Sequence, residues 1–248
     1  MVSRHAEIPF SPFALLTNRL ILVPTPTAIS LPSYLALYAS LHARSSFCEM
    51  AFSSHFPATT WSDEQTIKVI NTRDIVRCWR KRGMGDFAVG LRVNNDGREG
   101  VESDTGRILE GPCQEIRIIE GNDVDRLFAT EGQSLDAVEW VGYAGVRDAT
   151  TTSMPAQTAD DLPLPPWQEM IELRYGVAPE YWGQGIAREA AEAIMQWAVS
   201  ERGVRRFIAE TENGNTRSGR VLEKMGFKPS GTEYWREPSE VEWERILR

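Results

Sequence analysis

Two kinds of hydrophobic pattern alternate along the chain. Short apolar runs bounded by proline or charge predict strands at Arg19–Val23, Asp86–Val93, Val138–Arg147, Met170–Ala178 and Arg206–Thr211. Longer stretches with apolar residues three and four apart predict helices. Ser30–Arg44 sets Leu31, Tyr34, Leu35, Tyr38 and Leu41 on one face. A second helix is expected from an N-cap at Ser62 or Asp63 to about Arg82, with Ile67, Ile70, Ile75 and Trp79 inward. Gly185–Arg202 and Asn215–Met225 are helices after later strands, and Lys228–Trp235 and Val241–Leu247 close the chain as extended segments. Asp86–Val93 and Val138–Arg147 are expected to pair antiparallel. The order is mixed α/β.

Two stretches interrupt it. Residues 94–139 hold twelve acids against four arginines, which accounts for the whole net charge of −8, with one short strand expected at Glu115–Ile119. Asp148–Pro166 is rich in Thr, Ala, Asp and Pro and reads as a surface loop. The expected organisation is an extension over residues 1–16 and a single domain over 17–248, with insertions at about 94–137 and 148–166. The acidic segment is either a solvated insertion or a rim that attracts a cationic substrate or partner.

Composition narrows the function. At 248 residues and 42% hydrophobic, the chain can bury a full core. No apolar run approaches the ~18–20 residues of a membrane span, and the first residues lack a signal-peptide core. A cytoplasmic protein with no membrane partner is expected. The acidic balance disfavours a nucleic-acid partner. Cys48, Cys78 and Cys113 have neither disulfide-framework nor zinc spacing, and His5, His42 and His55 form no HExxH, so no metal is expected. Trp61, Trp167 and Trp235 either line a cleft or pack the core.

Chemistry concentrates in Met170–Glu192, where a strand runs through Pro179 into a turn with two glycines and then an alanine-rich helix. Such a turn sets unpaired N–H groups and the positive end of a helix dipole beside a loop with few side chains, a place suited to a phosphate or pyrophosphate. No Lys-Ser or Lys-Thr follows, so it is not a P-loop. Arg188 stands where the dinucleotide fingerprint needs a third Gly or Ala. Gly183 and Gly185 by themselves are equally read as packing or capping devices.

The surroundings carry more. Tyr181–Ala190, YWGQGIAREA, resembles the acetyl-coenzyme A signature of the GNAT superfamily of N-acetyltransferases, Q/R-x-x-G-x-G/A, with Trp182 in place of Gln or Arg. Thr17–Leu22 (TNRLIL) and Asn215–Phe227 resemble, in the same order, the opening strand and the late helix of its ribosomal-protein alanine acetyltransferase branch. The resemblance implies a GNAT-like α/β fold: a mixed, mostly antiparallel sheet with a splayed central strand pair and helices on both faces. It implies acetyl-CoA as co-substrate and no metal.

It also implies roles. The backbones of Tyr175, Gly176 and Val177 would line the pantetheine arm, with a bulge at Gly176. The N–H groups of Gly183, Gly185, Ile186 and Ala187 would hold the pyrophosphate, with Trp182 in the same turn. Gln184 and Arg188 would touch the ligand or remain solvated. Asn215 would cap its helix and also reach the pantetheine, and Arg220, Leu222 and Phe227 would flank the cofactor tail or the core. The reaction is direct acyl transfer to a primary amine, so no nucleophilic residue is needed. Val177 N–H is the expected oxyanion donor. Glu172 is the expected general base, its pKa raised in an apolar strand, unless it faces solvent or pairs with an arginine such as Arg174. Ser218 or Tyr234 would protonate the thiolate. An α-amine near pKa ~8 needs only a modest base, whereas a lysine amine near ~10.4 needs a well-tuned one. The acceptor is expected to be a small molecule or a peptide N-terminus, and the protein a monomer or homodimer. The alternatives are a non-catalytic acyl-CoA-binding regulatory module and an enzyme using a longer acyl-CoA.

Overall fold

The computed structural model describes residues 7–52, 56–92, 106–109, 111, 114–121, 123–124, 134–161 and 163–247. Its strands are β1 (Phe13–Leu16), β2 (Leu20–Pro24), β3 (Asp86–Leu91), β4 (Arg107–Leu109), β5 (Ile116–Glu120), β6 (Glu139–Asp148), β7 (Ile171–Val177), β8 (Arg206–Glu212), β9 (Lys228–Pro229) and β10 (Glu240–Ile246). The longer helices are α1 (Pro32–Ala43), α2 (Ser45–Phe52), α3 (Asp63–Ile70), α4 (Ile186–Arg202) and α5 (Thr216–Lys224). All the described strands form one sheet in the order β4-β5-β1-β2-β3-β6-β7-β8-β10-β9. Neighbours run antiparallel except β7 and β8, which are parallel. A parallel pair needs a crossover, and α4 provides it.

Strand alternation divides the core into two layers. Leu20, Leu22, Phe87, Val89, Ala144 and Phe207 pack with Ala190, Ile194 and Trp197 of α4 and Leu222 of α5. Ile21, Val23, Ala88 and Tyr143 face the other way and pack with Tyr34, Leu35, Tyr38 and Leu41 of α1 and Phe47 of α2. The buried face predicted for the first helix is the one observed.

Several expectations change. The sheet begins before residue 17, because β1 lies inside the expected extension and pairs with β2 and β5. The acidic insertion adds β5, one residue later than expected, and β4 to that edge. Much of the rest of that insertion, Cys113 included, lies outside the described residues, as does His55. The second helix starts at a capping box between Ser62 and Gln65, then widens into π-helical geometry over Asn71–Trp79. Its inward row is Thr66, Ile70, Asp74, Cys78 and Trp79, and Ile67 is exposed. The wider i→i+5 turns keep Asp74 and Trp79 on one line. The late extended segment shortens to β9, which pairs with β10 at Lys228–Glu244 and Pro229–Trp243 and ends with a bond from Ser230 N–H to Glu242 C=O at 2.9 Å. The second insertion is anchored at its start, where Asp148 caps the turn Ala149–Thr152 and Ser153 donates to Glu172.

Candidate active site

β7 and β8 pair only through Ile171–Phe207 and Glu172–Ile208. Beyond Glu172 the two strands part, and β7 keeps a ladder on its β6 side alone. The direction of each peptide group follows from two bonds. Ala149 N–H donates to Met170 C=O at 3.0 Å and Ala178 N–H donates to Val141 C=O at 2.8 Å. The register between them is unbroken, so even-numbered residues of β7 bond β6 and odd-numbered ones point into the opening. Tyr175 and Val177 therefore present backbone groups to the gap, as the resemblance implies. Gly176 does not, since its peptide groups face Tyr143. The bulge expected at Gly176 is absent, and the irregularity lies between Val89 and Gly90 of β3. Gly176 is small for another reason: a Cβ there would stand 2.7 Å from the Phe47 ring and 2.8 Å from the Tyr143 ring.

The turn after β7 has Gly183 at φ +81° and Gly185 at φ +79°, left-handed values that side chains disfavour. No side chain caps α4, whose N-cap is Gly185. Its first N–H groups, beginning with Ile186 and Ala187, point outward at the positive end of a 17-residue helix. The Ile186 side chain is buried in the core beneath. Trp182, which stands in place of the motif's Gln or Arg, is anchored to β7: its Nε1–H donates to Val177 C=O at 2.7 Å, and Arg217 stacks on the indole at 5.0 Å. Gln184 folds back within the turn, its Nε2 donating to Glu180 C=O at 3.2 Å. Arg188 pairs with Glu192, one helical turn on, at 2.9 Å, which favours the solvated-helix alternative for it.

Asn215 caps α5 by accepting from Ser218 N–H at 3.1 Å, while its Nδ2 donates to Met50 C=O of α2 at 2.7 Å. The expected cap is therefore present, and the other end of the amide is turned to α2. Ser218 does meet the splay: its Oγ donates to the Tyr175 hydroxyl at 3.1 Å, and that hydroxyl donates to Ser218 C=O at 3.3 Å. Burial pushes the Tyr175 phenol up to about 12. Arg220 is exposed, whereas Leu222 and Phe227 are core residues.

Two catalytic expectations are corrected. Tyr234 accepts from Arg206 Nη1 at 3.2 Å. Arg206 opens β8 at the closed end of the splay, about six residues or roughly 20 Å of strand below the level of Val177. Glu172 is buried on the α1–α3 side of the sheet and gripped by Arg147, Nε to Oε2 at 2.9 Å and Nη2 to Oε1 at 2.6 Å. Burial alone would raise its pKa, but the Arg147 charge and the hydrogen bonds from Arg147 and Ser153 overcome that and lower it. It is a structural ion pair. The partner is Arg147 across β6, not Arg174.

The sequence profile of the Acetyltransferase (GNAT) domain matches residues 19–228. The chain belongs to the GNAT acetyltransferase family. An uncharacterized N-acetyltransferase of Schizosaccharomyces pombe is 38% identical over 64 residues, 26% of this chain and 34% of that protein. The chain spans less than half the length of the curated relatives it matches. Among solved structures, an acetyltransferase from Agrobacterium tumefaciens superposes with a TM-score of 0.57 at 16% identity, over 98% of this chain and 99% of that one. The aminoglycoside acetyltransferase AAC(6′)-Ib in complex with coenzyme A gives 0.52 at 11% identity, over 94% of each chain.

Opposite the glycine turn, this GNAT chain builds a face that sequence reasoning missed. α2 lies across the splay, with Phe47 over Gly176, Met50 tied to Asn215, and the residue before it, Arg44, paired with Glu180. Tyr38, His42, Trp61 and Tyr143 form one ring cluster, including His42–Trp61 at 4.8 Å and Tyr38–His42 at 4.7 Å. Trp61 belongs to it, whereas Trp167 stacks under Arg82 and Trp235 is buried against the sheet. Burial, with the Arg174 and Arg73 charges, lowers His42 to about 3 and keeps it neutral. Arg174 stacks on Tyr143 at 5.1 Å and pairs with Asp86 at 3.6 Å. Glu210 of β8 is raised to about 10 by burial, a hydrogen bond with Glu240 and the charge of Glu172. These residues come from five elements, and only the alternating parity of β7 and β8 signalled that they share a face.

Among the described residues, no helix is long and apolar enough to cross a membrane, and no group of three or more His, Cys, Asp or Glu could hold a metal ion.

Proposed function

We propose that this chain is an acetyl-CoA-dependent N-acetyltransferase acting on a primary amine. The observation that carries the reading is the continuity of two backbone surfaces: the open odd-numbered edge of β7 leads directly into the left-handed glycine turn at the start of α4. Both fit the cofactor. A strand edge offers alternating N–H and C=O groups to an arm containing amides, and the turn offers uncapped N–H groups to a pyrophosphate.

When bound, acetyl-CoA supplies an activated thioester. Tyr175 holds the arm by its backbone, and the N–H groups of Gly183, Gly185, Ile186 and Ala187 hold the phosphates. Val177 N–H, with the C=O of the same residue fixed by Trp182, would face the thioester carbonyl as the oxyanion donor. The Ser218 hydroxyl, held by Tyr175, would give a proton to the departing sulfur and be reprotonated by the proton that the amine loses. The amine enters from the α1–α3 face, where Glu210, raised by burial and its hydrogen bond with Glu240, keeps its proton at neutral pH and can take part in a hydrogen bond with the acceptor. With Glu172 neutralised by Arg147 and His42 held far below neutrality, the described residues of this face include no histidine base tuned to pH 7. That favours an acceptor of α-amine type, on a small molecule or a peptide N-terminus.

Calorimetric titration with acetyl-CoA, run beside Gly185→Glu, tests the cofactor site. Binding in the parent and its loss in the variant support the site, and no binding in the parent rejects it. Thiol release with a panel of amines then tests turnover. Binding without release for any amine would leave a non-catalytic acyl-CoA-binding module, and faster release from longer thioesters would replace acetyl as the group transferred.

A further inference from the structure

The opening motif Thr17–Leu22 takes no part in the chemistry above, yet its polar groups end on the cofactor turn. Thr17 sits between β1 and β2, where its Oγ1 accepts from Leu20 N–H at 2.9 Å. The same hydroxyl donates to Glu189 Oε1 at 2.6 Å, and Arg19 N–H donates to that oxygen at 3.1 Å. The Arg19 guanidinium closes the set, with Nε and Nη2 on Glu189 Oε2 at 2.7 and 2.6 Å. Its remaining nitrogen, Nη1, donates to Gln184 C=O at 3.1 Å. Arg19 therefore lies directly against the turn, 3.5 Å from where a Cβ on Gly185 would be.

Two physical consequences follow. In a trans peptide the C=O of one residue and the N–H of the next point in opposite directions. By drawing Gln184 C=O toward β2, Arg19 turns the Gly185 N–H away from it, toward the pyrophosphate side. Without that tether, the peptide joining Gln184 to the left-handed Gly185 is freer to change its orientation. Second, Glu189 sits in the first turn of α4, where its charge opposes any phosphate bound at the helix start. Arg19 and Thr17 together satisfy and neutralise it.

We propose that Arg19 is a positioning residue for the cofactor: it sets the direction of the Gly185 N–H and cancels the charge of Glu189, so that the turn accepts a pyrophosphate. The proposal rests on the reading that this turn binds the pyrophosphate of acetyl-CoA. A residue acting this way shifts donor affinity and leaves the chemical step alone.

The test uses the whole protein with acetyl-CoA and with S-acetylpantetheine, a donor that has no pyrophosphate. Arg19→Met is expected to raise the KM for acetyl-CoA about tenfold, with kcat at saturating donor within about twofold of the parent. With S-acetylpantetheine, the variant and the parent should share one KM. Arg19→Lys keeps a charge but loses the fork that reaches both Glu189 and Gln184, and should fall between them. Adding Glu189→Gln to Arg19→Met should recover part of the affinity, the part due to charge. The Lys variant keeps the test open if the Met variant does not fold. An unchanged acetyl-CoA KM in Arg19→Met and Arg19→Lys overturns the proposal, as does an equal KM increase for both donors. If the parent fails to bind acetyl-CoA, the cofactor reading itself fails. If the parent binds, Gly185→Glu does not, and Arg19→Met is unaffected, only the role of Arg19 fails.

Discussion

The two sides of the splay are built from different material. The side proposed to hold the cofactor is mostly backbone: the odd-numbered edge of β7, two left-handed glycines and the first turn of α4, all within Ile171–Ala187. The side proposed to admit the acceptor is side chain: Tyr38 and His42 from α1, Phe47 from α2, Trp61, Tyr143 from β6, Arg174 from β7 and Glu210 from β8. A site made of backbone needs only a short run of permissive residues, so it can be written as a motif. A site made of side chains can be reshaped by any of the elements that feed it, which suits the side that must select an acceptor.

The largest expected effect separates structure from catalysis on that second side. Glu172→Ala leaves Arg147 buried without its partner and should cost about 3–5 kcal/mol of stability, read by denaturant unfolding. Folded Glu172→Gln should keep the parent's pH–rate profile. A collapse of kcat with stability intact would return Glu172 to the role of base. On the cofactor side, Gly183→Val should cost about 1–2 kcal/mol for the left-handed backbone and weaken acetyl-CoA by about tenfold, because nothing else crowds that position. Calorimetry and thermal unfolding measure the two parts separately.

Asn215→Ala joins the two regions. It removes the cap on α5, worth about 1 kcal/mol, and frees α2 at Met50. The acceptor KM should rise severalfold while acetyl-CoA affinity changes less; the reverse ranking would place the Asn215 amide on the cofactor after all. The smallest effect is in pH dependence. Burial and the neighbouring Asp86 charge raise Asp74 to about 7, against opposing hydrogen bonds from Thr25 and Asp86 N–H. A raised carboxylate keeps its proton in the folded state after the unfolded chain has lost it. Its contribution is full below about pH 4 and is lost as pH rises toward 7. The parent should lose stability between pH 5 and 7 relative to Asp74→Asn, and parallel curves would show that Asp74 titrates normally.

Much of the fold was legible. The apolar runs located β2, β3, β6, β7, β8 and β10, the helical face of α1 followed from spacing alone, and α4 was placed to within a residue. β1 escaped because Phe13–Leu16 is four residues long and gains its strand character from β2 and β5 on either side. The π-helical stretch escaped because Ile67 is as apolar as the residues that turn inward. In the site, the glycines and the helix start were legible from local chemistry, but the reason for Gly176 was not: it forms no bulge and is small to admit the rings of Phe47 and Tyr143, both distant in sequence.

By itself, the sequence determined what depends on neighbours along the chain: the strand alternation, the caps at Ser62 and Asn215, and the left-handed turn at Gly183 and Gly185. The tertiary structure alone decided which groups meet across the chain. It gave Glu172 to Arg147, Tyr234 to Arg206, and Glu189 to Thr17 and Arg19 some 170 residues away. The reason is physical. Backbone conformation is set by local sterics and hydrogen bonding, whereas the charge state of a buried side chain depends on the partner that packing places beside it.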